Sequence, residues 1–291
     1  MPFVQLDGIE TRYELIGSGP PLLMFSPGGF NATLEQWHSL GIYVRTKPIE
    51  HLARQFTCIV FDRRECGQSG GRIESVRWAD YAAQGKGLLD HLGLASAHMM
   101  GGCMGCSPVL AFAAAHPQMV RSMVLYWPVG GARYRLTSEQ RFAEHLAYVR
   151  QHGLAQVVAL VREGRKPFGA DPRGGPWASV IARDSEFAGR FALHDIEQYK
   201  LLVTGMAHAL IDRDTAPGAE PEDLMALQIP ALVIPGKDAS HATSAARYLE
   251  ECLPRAEYWD AAPDEQSEEA TAALLLRFLA AAELQPHLPQ P

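Results

Sequence analysis

The chain has 291 residues, enough for one large α/β domain with an inserted subdomain, and an ordinary composition for a water-soluble protein. Its 26 basic and 33 acidic side chains give a mild net negative charge with no basic block, which argues against nucleic acid and anionic membranes as partners. No apolar run reaches membrane-spanning length, the N-terminus lacks the basic and apolar regions of a signal peptide, and five cysteines without framework spacing point to a reducing cytoplasm.

Two short strands open the chain, at 3–6 and 10–16, separated by Asp7-Gly8. Leu22-Leu23-Met24-Phe25-Ser26 is a continuous apolar run, as expected for a strand buried on both faces, and it ends in Pro27-Gly28-Gly29-Phe30. A second such run, at 58–62, ends in Arg63-Arg64-Glu65-Cys66-Gly67-Gln68-Ser69; helical periodicity follows over 78–91, with Gly93 as its stop. A strand at 98–101 then enters Gly101-Gly102-Cys103-Met104-Gly105, and an alanine-rich helix over 107–116 leaves it. Further strands are expected at 123–128, 231–236 and 256–259, with helices at 242–252 and 265–282. Alternation of this kind predicts a mostly parallel sheet covered by helices on both faces.

The interval 129–228 has no strand signal. Helical stretches at 138–151, 154–163 and 194–210 are broken by a Gly/Pro-rich segment at 166–176. This is too much chain for a plain crossover, so it reads as a helical cap, or lid, inserted into a core formed by 1–128 and 229–284. Residues 285–291 are proline-rich and are expected to form a flexible tail.

Strand, tight glycine-flanked turn and helix in that order present Cys103 on a sharp bend. Gly101 and Gly105 stand where the two backbones pass too close for a Cβ. This segment resembles the nucleophile elbow of the α/β-hydrolase superfamily, and three more landmarks fall in that family's order. Pro27-Gly28-Gly29-Phe30 is similar to its oxyanion turn, with Gly28 where a histidine is usual. Residues 62–69 resemble its Asp-x-Arg-Gly-x-Gly-x-Ser segment, with Glu65 replacing the first glycine, and Gly236-Lys237-Asp238 resembles the loop that delivers the triad acid. The resemblance implies an α/β-hydrolase fold with a mostly parallel eight-stranded sheet and a helical cap.

The resemblance also implies a chemistry. Cys103, at a helix N-terminus, is the expected nucleophile, with its thiolate favoured by the helix dipole. The main-chain N–H of Met104, together with that of Phe30 or Gly29, would form the oxyanion hole, and Asp238 would be the acid, although it could instead cap the helix that follows. The family's histidine should follow the last strand, yet 260–267 contains none; the only later one is His287 in the tail. His241, three residues after Asp238, is the favoured base, and His208 in the cap is the alternative, followed by His145 and His194. A third arrangement uses no histidine. Arg64 and Glu65 read as loop-structuring residues, while Tyr126, Trp127 and Met206 are the candidates to line an apolar substrate pocket.

Three functions follow: a hydrolase or acyltransferase working through a thioester at Cys103 on a small ester, thioester, lactone or activated acid; a non-hydrolytic lyase using the same oxyanion pocket; or a silent ligand-binding scaffold. Cys103 and Cys106 also form a Cys-x-x-Cys, which leaves a redox pair as a minor reading. No second Cys-x-x-Cys or paired histidines complete a zinc site, and no dinucleotide fingerprint or phosphate loop is present, so no metal and no cofactor is expected. The sequence does not specify an oligomeric state.

Overall fold

The computed structural model describes residues 2–284; the expected tail at 285–291 lies outside them. The chain runs β1 (Phe3–Leu6), β2 (Ile9–Ile16), β3 (Pro21–Phe25), then three short helices, α1 (Gln36–Ser39), α2 (Gly41–Thr46) and α3 (Pro48–Leu52). It continues through β4 (Thr57–Phe61), α4 (Trp78–His91), β5 (Ala97–Gly102), α5 (Cys106–Ala115) and β6 (Val120–Tyr126). Only helices lie between β6 and the next strand: α6 (Ala132–Gly164), α7 (Ala178–Arg183), α8 (Ser185–Ala192), α9 (Ile196–Leu210) and α10 (Pro221–Ala226). The chain closes with β7 (Ala231–Ile234), α11 (Thr243–Cys252), β8 (Ala256–Tyr258) and α12 (Glu268–Glu283).

The eight strands form one sheet in the order β1-β2-β4-β3-β5-β6-β7-β8. β2 pairs antiparallel with β1 and β4, and every other pairing is parallel. The continuous apolar runs are explained by burial on both faces, because alternate side chains enter different cores. Leu23, Phe25, Ile59, Met99, Met123, Leu125 and Val233 pack on one face, and that core continues into the helices between β6 and β7. Leu22, Met24, Val60, Met100, Val124, Tyr126 and Ile234 pack on the other, against Trp37, Tyr43, Leu52 and Leu275.

Local chemistry sets most boundaries. Asp195 and Ser267 accept hydrogen bonds from the main-chain N–H of Gln198 and Ala270, so α9 and α12 start slightly later than periodicity alone implies. α6 spans the two helices expected at 138–151 and 154–163, and Gly153, at φ 76°, breaks it where the expected gap falls. The short helices α1 to α3, α7, α8 and α10 had no sequence expectation; with fewer than three turns each, they carry little periodic signal.

Candidate active site

The elbow is built by glycine. A Cβ on Gly101 would stand 2.4 Å from the carbonyl oxygen of Gly105, and one on Gly105 would stand 2.2 Å from that of Phe25, so the helix can sit against the strand ends only without them. Cys103 itself adopts φ 54°, a left-handed conformation that a side chain reaches only under constraint, and it is partly exposed. Strain at this one residue turns the sulfur out of the sheet and toward a cavity of about 400 Å³, whose wall includes Gly29, Phe30, Tyr43, Met104, Trp127 and His241.

His241 reaches the sulfur from the loop after β7. Its Nδ1 lies 2.8 and 2.9 Å from the two carboxylate oxygens of Asp238, and the main-chain N–H groups of Ser240 and His241 donate to Asp238 Oδ1 at 2.8 and 2.9 Å. The carboxylate therefore folds its own loop around the imidazole. His241 Nε2 is buried with no hydrogen-bond partner of good geometry, and the group it faces is the Cys103 sulfur. Burial alone would favour the neutral imidazole, but the sulfur and Asp238 overcome it and push the His241 pKa up to about 10. Burial would likewise raise the Cys103 thiol; the imidazolium, with the main-chain N–H groups of Gly28 and Met104, holds it below its ordinary value. Hydrogen bonding to His241 comes first among the causes that bring Asp238 down to about 2. The three groups together stabilise a thiolate–imidazolium pair beside a carboxylate.

The main-chain N–H groups of Met104 and of Gly28, the latter at φ 113°, are turned toward the sulfur, and Gly29 and Phe30 line the cavity beside them. Two pocket residues need correction. Tyr126 is fully buried in the core with Val124, behind the cavity-lining Tyr43, and Met206 is fully buried within α9. Trp127, one residue past the strand at φ 56°, does line the cavity. His208 is exposed, His194 is half-buried, and neither lines any part of it. His145 is locked inside the helical segment, its Nδ1 donating to Arg173 O at 2.9 Å and its Nε2 accepting from Tyr199 at 2.6 Å. Cys106 directs its thiol at Gly101 O, 3.1 Å away in the core, and both cysteines are free thiols.

Other landmark residues hold the frame. Glu65 takes φ 65° at the position where the family motif has glycine, and its carboxylate accepts from Arg64 Nε at 2.9 Å, as expected of loop-structuring residues. Phe30, from the turn after β3, meets Phe142 and Phe168 edge-on at 5.5 and 5.1 Å, joining that turn to the helical segment. Sequence reasoning missed Tyr43, whose hydroxyl donates to Tyr126 O at 3.0 Å against the elbow. It lies in α2, too short to have announced itself. Among the described residues no cluster of His, Cys, Asp and Glu could hold a metal, and no helix is long and apolar enough to cross a membrane.

Residues 21–128 match the family described as alpha/beta hydrolase fold. The chain is 30% identical over 128 residues to the dihydrolipoyllysine-residue acetyltransferase component of the acetoin cleaving system of Cupriavidus necator, a match covering 44% of this chain and only 32% of that protein. It is 27% identical over 227 residues to the putative carbamate hydrolase RutD of Azorhizobium caulinodans, covering 72% of this chain and 82% of that one. Among solved structures, the enol-lactonase from Burkholderia xenovorans LB400 superposes with a TM-score of 0.60 at 20% identity, covering 96% of this chain and 100% of that one. At that identity the likeness is one of fold.

Proposed function

We propose that this chain, an α/β-hydrolase-superfamily protein, is a hydrolase that takes the acyl group of a small ester, thioester, lactone or activated acid onto Cys103 and releases it to water. The observation that carries the reading is the His241 imidazole facing the Cys103 sulfur, with Asp238 2.8 Å from its other nitrogen and the cavity alongside. A silent scaffold has no need of a base held against a thiolate.

The thiolate adds to the carbonyl carbon, and the negative charge passes to the carbonyl oxygen. The N–H of Met104, together with one from Gly29 or Phe30 in the turn after β3, stabilises it there, a contribution that in related chemistry is worth roughly a hundredfold in rate or more for each donor. Collapse breaks the bond to the leaving group, which takes the imidazolium proton of His241. Neutral His241 then accepts a proton from water as its oxygen attacks the thioester; the C–S bond breaks, the acid departs, and the thiolate–imidazolium pair is restored. The helices between β6 and β7 serve as the lid, sealed to the core turn by Phe30, Phe142 and Phe168.

The test is turnover of p-nitrophenyl acetate with intact-mass analysis. Wild type is expected to turn the ester over, Cys103→Ala to lose that activity, and His241→Ala to accumulate an acetyl adduct on Cys103. An unlabelled Cys103 together with undiminished turnover in Cys103→Ala overturns the proposal.

A further inference from the structure

One charged side chain of the cavity wall has no part in the acyl chemistry. Arg141, half-buried on α6, lines the same cavity as Cys103 and His241. Among the described residues no carboxylate pairs with it, and it is the one lysine or arginine lining that wall. The only carboxylate on the wall, Asp238, is already engaged by His241. Helix pitch accounts for its placement. Tyr134, Ser138 and Arg141 are spaced by four and three residues, which puts them on one face of α6, and all three line the cavity. The Tyr134 hydroxyl lies within electrostatic reach of both the Cys103 sulfur and the Arg141 guanidinium. Apolar wall from Phe30, Leu40, Ile42 and Val129 completes the enclosure.

We propose that Arg141 receives a carboxylate on the substrate, so that the preferred substrates are half-acids: acyl compounds with a reacting carbonyl at one end and a free carboxylate at the other. The inference rests on the reading of Cys103 as the acylated group. A guanidinium open to a small cavity presents paired N–H donors that match a carboxylate in two-point fashion, and the partial loss of water strengthens the contact. The wall's other cation, the His241 imidazolium, is committed to the sulfur and Asp238, so Arg141 suits a single negative charge, whereas a phosphate dianion would call for further donors. A cavity of about 400 Å³ lies within the size range of small-molecule sites and leaves room for a short hydrocarbon spacer along the apolar wall.

The experiment compares mono-p-nitrophenyl glutarate, which carries a free carboxylate, with its methyl ester, which does not. The wild-type protein is expected to favour the half-acid in kcat/KM. Arg141→Ala is expected to reduce that ratio by roughly tenfold to a hundredfold, the range for a hydrogen-bonded charged contact, chiefly through KM for the half-acid. Arg141→Lys should recover part of it. If the wild type does not distinguish the two esters, or Arg141→Ala slows both equally, the side chain merely balances charge near the sulfur and the inference is wrong. Should neither ester acylate the wild-type Cys103, the reading of Cys103 fails on its own; binding of glutarate alone, by calorimetry on wild type and Arg141→Ala, then decides. Loss of binding in the variant keeps the anion site, and no binding to either protein overturns it.

Discussion

The indole Nε1 of Trp127 donates to the side-chain oxygen of Gln266 at 2.8 Å, and Gln266 belongs to the loop in which the family's histidine is missing. That loop still serves the site. Gln266 is fully buried, and its amide nitrogen donates to Pro235 O and Ala261 O at 2.8 and 3.1 Å. Trp127 in turn lies against the His241 ring, with centroids 5.4 Å apart. The glutamine holds the tryptophan, and the tryptophan backs the imidazole. Gln266→Ala leaves the indole N–H and two carbonyls without partners, and a stability loss of about 1–3 kcal/mol is expected. The reading that separates positioning from mere stability is the pH at which Cys103 becomes reactive, which should move upward; Gln266→Glu, which keeps the acceptor for Trp127, should move it less.

Iodoacetamide alkylation of Cys103 should begin at a pH below the ordinary thiol range, because the imidazolium and two main-chain N–H groups favour the thiolate. In His241→Ala those amides face the burial cost without the positive charge, so the onset should shift to higher pH. Ester turnover should fall again near pH 10, where His241 loses the proton that the leaving group needs. An alkylation profile that is the same in both proteins would mean that His241 and Cys103 do not communicate.

Asp238→Asn keeps an Oδ1 to accept from the Ser240 and His241 N–H groups, so the loop should persist. Its amide replaces the negative charge that anchors Nδ1, and the imidazolium loses its counter-ion. A drop in kcat of about a hundredfold or more is expected, as for other triads in which the carboxylate alone is neutralised. Thermal stability should hardly change, since Asp238 is half exposed. A variant that keeps full activity would remove Asp238 from the proposed relay.

His145 provides a separate acid response in the helical segment. Burial holds its pKa down to about 4, against 6.5 for a free histidine. Below pH 6.5 the unfolded chain therefore binds a proton that the folded chain resists, so stability falls as pH drops from about 6.5 toward about 4, by up to roughly 3 kcal/mol. In His145→Gln that part of the slope should vanish. Urea melts of both proteins between pH 7 and pH 4 provide the comparison, and parallel slopes would refute the assignment.

The elbow, its two glycines and the strand order were legible because each depends on short-range geometry: backbones in close contact exclude a Cβ, and buried strands carry unbroken apolar runs. The contact of Asp238 with His241 was legible for a related reason, since a carboxylate and an imidazole three residues apart on one loop need no tertiary fold to meet. Tyr126 was misread because it ends β6 inside the core, while the residue that reaches the cavity is the next one, Trp127, where the chain leaves the strand at φ 56°. Met206 was misread because α9 turns that side chain into the core. That the Gly28 N–H meets the sulfur depends on a turn with φ 113°, which composition does not encode. Arg141 is one arginine among several on α6 until α6 is laid across the sheet.

β8 is the outermost strand of the sheet, three residues long and only partly covered, whereas β7 is flanked by strands on both sides. His241 follows β7 and Gln266 follows β8, so the histidine is anchored one strand further in than the glutamine. A sheet that frays at its rim would release the Gln266 prop before it released the Asp238–His241 pair.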